Sequence, residues 1–165
     1  MRLGAAAWLL LVAVACAHSP RFSPGDLRQT FDLPTVGPVA LDVRRLEGKV
    51  LLVVFGATDC FACLQGLPRL AQWHDQYASQ GLQILWVGTD AEGPLLLLPF
   101  ANQYALPFPV LVVSGRIRAG ASPFGAIRGL PSTALIGRDG VVRAAFEGLR
   151  DASQTEALIR RALAE

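Results

Sequence analysis

The most constraining stretch is an apolar, β-branched run at residues 50–55, followed by Gly56-Ala57-Thr58-Asp59 and then Cys60-Phe61-Ala62-Cys63. The run reads as a buried strand. The two cysteines fall where that strand gives way to a helical pattern. A helix start carries unpaired N–H groups and the positive end of the helix dipole. Its field favours thiolate over thiol at Cys60, which is what a reactive cysteine requires. Two intervening residues are what a first helical turn needs to bring two sulfurs into bonding range. The stretch therefore predicts a thiol–disulfide site at a strand–helix junction.

The elements around it follow in order. Residues 18–30 are polar, with Pro20 and Pro24, and read as part of a tether at 17–30. Short extended segments are expected near 31–34 and 39–41, joined by a turn at Gly37-Pro38. A helix follows the cysteines over about 61–79, with Leu64, Leu67, Leu70, Ala71 and Tyr77 at helical spacing, Pro68 inside it and Gly81 ending it. Residues 82–88 form a second strand, so strand, helix and strand imply a right-handed parallel crossover. Leu95 to Leu98 read as core, in a helix that either starts at Pro99 or is kinked there. A third strand is expected over 108–113, a loop over 114–120 and a short helical turn over 122–128. Residues 133–137 and 141–146 flank Arg138-Asp139-Gly140 as a β-hairpin. The last helix spans about 153–164, with Ser153 and Glu156 at capping-box spacing. The whole is an α/β fold, a central mixed β-sheet flanked by helices with a short N-terminal β extension.

The N-terminus reads as a targeting segment. Arg2 precedes an apolar stretch at 3–15, too short to span a bilayer. Ala13-Val14-Ala15-Cys16 ends it, resembling the bacterial lipobox, in which the cysteine is acylated and anchors the protein to a membrane. Cleavage after Ala15-Cys16-Ala17 is the alternative and would release a soluble secreted protein. Domains are thus expected as a signal at 1–16, a tether at 17–30 and the folded domain at 31–165. Of three cysteines, lipidation or removal of Cys16 leaves only the close pair. In an oxidising compartment such a pair is redox-active more often than structural.

Composition excludes some functions. A net charge of +2 and 17% charged residues, with no basic patch, give no case for nucleic acid. His74 is the only histidine of the folded domain, and it reads as a surface residue, so no metal site is expected. No cofactor beyond the Cys60–Cys63 disulfide is expected, and the domain is read as a monomer.

Taken together, Phe31-x-Leu33-Pro34, Gly48-Lys49-Val50, Phe55-x-Ala57-Thr58-x-Cys60-x-x-Cys63, Pro68, Phe108-Pro109-Val110 and Leu130-Pro131-Ser132-Thr133 resemble the thioredoxin fold. More narrowly they are similar to the TlpA/ResA-like group of extracytoplasmic thiol–disulfide oxidoreductases. The resemblance implies that Cys60 is the exposed nucleophile and Cys63 the resolving cysteine. It implies a cis peptide before Pro131, presenting the Leu130 backbone to an extended substrate; a trans-proline in an ordinary loop is the alternative. Phe61, between the cysteines, is expected to be exposed and to contact substrate.

This sequence departs from the group at three positions and from many thioredoxins at a fourth. The group has tryptophans where Gly56 and Asp59 stand, and a glutamate where Gly66 stands. Thioredoxins carry a buried acid where Val54 stands. Both usual proton acceptors for the second cysteine and the indole that shields the site are therefore expected to be missing. Asp59 is the one carboxylate next to the cysteines, and it modulates Cys60. The helix terminus contributes about 0.3–2 kcal/mol toward thiolate, and an exposed Asp59 opposes it by less than about 1 kcal/mol. The expected poise is that of a reductant or an intermediate couple. The resulting expectation is a reductase of envelope-protein disulfides; the alternative is a non-catalytic binding module with a structural disulfide.

Overall fold

A computed structural model describes residues 21–120 and 123–165. The signal segment, Cys16 and the first residues of the tether lie outside them. In chain order the elements are α1 (Pro24–Phe31), β1 (Thr35–Val36), β2 (Val50–Gly56), α2 (Phe61–Tyr77), β3 (Leu82–Gly88), α3 (Pro94–Gln103), β4 (Val110–Val112), α4 (Gly115–Arg118), β5 (Ser132–Ile136), β6 (Val142–Glu147) and α5 (Ala152–Ala164).

The six strands form one mixed sheet in the order β1-β4-β3-β2-β5-β6. Strand β2 is central, parallel to β3 and antiparallel to β5. All seven of its residues are buried, which is why it reads as a continuous apolar run. Its alternating side chains feed two cores. Val50, Leu52 and Val54 join the core under α2, α3 and α5. Leu51, Val53 and Phe55 join the other, under α1 and α4. The β1 pairing with β4 supplies the short N-terminal β extension.

The tether reading fails from residue 21 onward. Ser23 caps α1 in a capping box with Asp26, and Pro24 occupies the first turn, where a missing N–H costs nothing. Phe22, Leu27 and Phe31 are buried, and the rings of Phe22, Phe31 and Phe55 all meet Phe124. The polar residues between these apolar ones face water, so the average composition looked like a linker while the spacing was that of an amphipathic helix. The folded unit thus starts before residue 31.

Five smaller readings also change. Residues 39–41 are not a strand, and 114–120 contain the short helix α4 capped by Ser114. Helix α3 starts at Pro94, with Pro99 inside it, and only Leu97 of the four leucines is buried; Leu95, Leu96 and Leu98 are exposed. The described part of 122–128 is turn and coil. The N-cap of α5 is Asp151, which accepts from Gln154 N, while Glu156 is drawn away to accept from the Tyr77 hydroxyl at 2.7 Å. Among the described residues no helix is long and apolar enough to cross a membrane.

Candidate active site

The site forms at the carboxyl end of β2, where the chain turns from strand into α2. Cys60 is the N-cap residue of α2. Its Sγ takes the place of a capping oxygen and accepts the Cys63 N–H at 3.2 Å. Cys60 and Cys63 are joined in a disulfide with Cα atoms 5.2 Å apart. Cys63 is buried at 1% exposure, whereas Cys60 is half-buried. This asymmetry follows from helical phase: Cys63 faces the core with Leu67 and Leu70, and the N-cap stays at the surface. Phe61 projects into solvent at 73% exposure, and Asp59 is exposed.

The Leu130–Pro131 peptide is cis. Pro131 is buried and half-buried Leu130 packs against both cores. The Pro131 carbonyl accepts from Gly148 N at 2.7 Å, fastening this loop to the end of β6. Pro131 and Cys63 line one cavity of about 250 Å³ between α2, the sheet and the β6–α5 connection. Its floor is apolar, made by Leu52, Val54, Trp73 and Trp86. Gln65, Gly66, Arg69, Leu149 and Arg150 surround it further, and among the described residues no carboxylate lines it. Cys60, Cys63 and the cis-proline loop are thus brought together. Phe61 and Asp59 stay outside, on the solvent side.

The tertiary structure corrects one expectation. The indole missing from position 56 is replaced from the neighbouring strand. A Cβ on Gly56 would collide with Cζ2 and Cη2 of Trp86, so the Trp86 ring occupies the space over Gly56. Trp86 is fully buried and lines the cavity beside Cys63. A glycine on one strand thus leaves room for a tryptophan on the adjacent parallel strand. The sequence carries both residues, but only the β2–β3 register makes them neighbours.

Asp90 is a second residue that sequence reasoning missed. It is buried at 7% exposure. Its Oδ1 accepts from Thr58 N at 2.9 Å and from Thr58 Oγ1 at 2.6 Å. Thr89 adds its own N–H and hydroxyl to the Gly56 carbonyl, at 2.8 and 3.1 Å. The end of β3 therefore braces the loop that delivers Cys60. Asp90 Oδ2 is buried without a hydrogen-bond partner among the described residues, and the Asp90 carbonyl accepts from Arg118 Nη2 at 3.2 Å. A signal was available: polar Thr89-Asp90 directly follows a strand parallel to β2, so both strand ends must lie side by side.

Further from the disulfide, the Tyr77 hydroxyl holds the Glu156 carboxyl below the usual carboxylate range, and Glu156 in turn raises the Tyr77 phenol. Among the described residues, no cluster of His, Cys, Asp and Glu could hold a metal ion.

The profile of the AhpC/TSA family matches residues 24–145. The thiol-disulfide oxidoreductase ResA of Halalkalibacterium halodurans is 30% identical over 118 residues, covering 72% of this chain and 65% of that protein. ResA of Bacillus thuringiensis is 28% identical over 121 residues, covering 73% and 68%. The matched region thus spans about two thirds of the length of these relatives. Among solved structures, a protein assigned as the thiol:disulfide interchange protein DsbE of Chlorobium tepidum superposes with a TM-score of 0.66 at 26% identity, over 79% of this chain and 94% of that one. With a mixed sheet, a strand–helix junction bearing Cys60 and Cys63, and these relatives, the chain belongs to the AhpC/TSA family of thioredoxin-fold proteins and carries the Cys-x-x-Cys pair of a thiol–disulfide oxidoreductase.

Proposed function

We propose that this protein is an extracytoplasmic oxidoreductase that reduces disulfides of cell-envelope proteins through Cys60 and Cys63. The observation that carries the reading is the position of Cys60. Its sulfur is half-exposed, sits at a helix N-terminus and accepts a backbone N–H, while its partner lies buried directly beneath. A thiolate formed there keeps that hydrogen bond and gains the favourable end of the helix dipole.

In the reducing direction the Cys60 thiolate attacks one sulfur of a substrate disulfide. The substrate S–S bond breaks, one substrate thiolate leaves and takes a proton, and a mixed disulfide remains. The Cys63 thiolate then attacks Cys60 Sγ and expels the second substrate thiolate. Two electrons pass to the substrate and the Cys60–Cys63 disulfide forms. An external dithiol returns the protein to its reduced state. Phe61 and the Leu130–Pro131 loop flank the sulfurs and serve as the substrate-contacting edge, and Asp59 tempers the acidity of Cys60. The apolar segment ending in Cys16 supports export and a lipid anchor. The domain acts as a monomer, and the disulfide is its only redox centre.

The competing reading, a binding module with a structural disulfide, draws on the absence of any carboxylate lining the cavity beside Cys63. The two are separated by redox titration of the full-length protein in detergent against glutathione, with insulin reduction alongside. Reversible titration and turnover that Cys60→Ser removes support the reductase. A disulfide that never exchanges supports the module.

A further inference from the structure

The cavity beside Cys63 has the wrong chemistry for the usual way of activating a buried resolving thiol. A buried thiol is disfavoured as thiolate and needs help to lose its proton. Val54 and Gly66, the two positions where an acid would serve, both line this cavity and supply none. What faces the space instead is cationic. Arg69 approaches from α2 and Arg150 from the β6–α5 connection. Arg150 is held over the Phe146 ring at 5.2 Å, and Arg69 donates to Gln72 Oε1 at 2.8 Å. Strands β2, β3 and β5 present Val54, Trp86 and Thr133, none of them ionisable, and α5 presents Thr155. Glu156, one residue on, accepts from the Tyr77 hydroxyl and also faces Arg69, which it partly neutralises, so Arg150 is the less compensated of the two cations. Asp59, before Cys60, lies in solvent outside the cavity. A space of about 250 Å³ is also large enough to admit water, each molecule needing roughly 30 Å³, and Gln65, Arg69 and Thr133 offer it polar partners at the lining.

We propose that Cys63 is activated without a carboxylate: it loses its proton to water in this cavity, and Arg69 and Arg150 favour the thiolate that remains. The proposal rests on the reductase reading and deepens its second step. Solvent takes the proton, the Cys63 sulfur forms its bond to Cys60 Sγ, and the substrate thiolate leaves with the electron pair of the broken mixed disulfide. Arg69 and Arg150 touch neither sulfur and act as positioning residues through the field they set at Cys63. Opposite charge favours the ionised thiol, and salt weakens that help because both arginines are exposed.

The test uses the reduced full-length protein in detergent and 4,4′-dithiodipyridine, an uncharged disulfide near neutral pH. Attack by Cys60 releases one thiopyridone, and resolution by Cys63 releases the second, so the two phases report the two cysteines separately. The expected second phase speeds up with pH, about tenfold per unit, until Cys63 is fully ionised. Arg69→Ala and Arg150→Ala each slow it about two- to fivefold near neutral pH and move its inflection upward, while the first phase changes less than about twofold. Lysine at both positions restores it, and high salt slows the parent protein but not the double-alanine protein. Gly66→Leu, whose Cβ has ordinary room beside Leu149, fills the cavity and also slows the second phase. A second phase unchanged in the double-alanine protein, or one that lysine fails to restore, overturns the proposal. Loss of either phase in the parent protein would instead overturn the reductase reading on which it stands.

Discussion

The two ends of the central sheet are built on opposite principles. At the end away from the cysteines, turns and termini are stitched together. Arg138 donates to the carbonyls of Gly48, Gln80 and Leu163 at 3.0, 2.8 and 3.4 Å, joining three separate segments. Phe22 N bonds the Gly140 carbonyl at 2.8 Å, where a φ of 78° and the nearness of the Phe22 carbonyl leave no place for a side chain. Arg143 bridges Asp139 and Glu165. At the cysteine end there is a cavity, an exposed Phe61 and a buried carboxylate oxygen without a partner. Long-range hydrogen bonds and ion pairs gather where no chemistry occurs, and the reactive end keeps open space and an unmet polar group. That division is expected where a site must change its bonding state while the sheet beneath it stays fixed.

The comparison breaks most visibly at Trp86, a large, well-packed group of the reactive end. Trp86→Ala should cost about 3–5 kcal/mol in urea unfolding. Gly56→Ala, which drives a methyl into the indole, should cost about 1–3 kcal/mol. Combined with Trp86→Leu, the Gly56→Ala penalty should largely vanish; additive penalties would mean the two positions do not compete for one space.

Asp90 comes next. Asp90→Ala leaves the Thr58 N–H unpaired and should cost about 1–3 kcal/mol. It should also slow attack by Cys60, because the loop that carries the cysteine loses its brace, whereas Asp90→Asn keeps an acceptor oxygen and falls between. Unchanged Cys60 kinetics in Asp90→Ala would place Asp90 with the purely architectural residues.

At the stitched end, Arg138→Ala should cost about 1 kcal/mol and leave disulfide exchange untouched. A fall in exchange rate with intact folding would show that the two ends are coupled.

The smallest effect concerns pH. Tyr77→Phe removes the hydroxyl that holds the Glu156 carboxyl low. A depressed folded value means that this contribution is complete above the unfolded carboxylate range and is lost as pH falls through the folded one. The stability gap between parent and variant, read by urea titration, should therefore be present at neutral pH and close on acidification. A gap independent of pH would exclude the ionised carboxylate as the acceptor.

Residues 50–63 alone placed a buried strand, a helix start and a close cysteine pair in the right order, because burial on both faces and helix periodicity are local signals. The β-hairpin at Asp139-Gly140 and the strand at 82–88 were legible for the same reason. Helix α1 was not, since three spaced apolar residues among polar ones and two prolines resemble a linker until Phe124 is seen to pack on them. The cysteines could be named from spacing. Trp86, Asp90 and the Arg69–Arg150 rim could not, because each belongs to the site only through strand register or helix–sheet packing.

What the sequence determined by itself is the reactive pair and the kind of scaffold that carries it, since both rest on residues adjacent along the chain. Only the tertiary structure decided the surroundings of Cys63: an indole supplied from β3 over Gly56 of β2, and arginines, with no carboxylate among the described residues, at the rim of the cavity beside it. Those surroundings are set by side chains distant in sequence, and a thiol buried beneath its partner responds to the charges and space around it rather than to its neighbours in the chain.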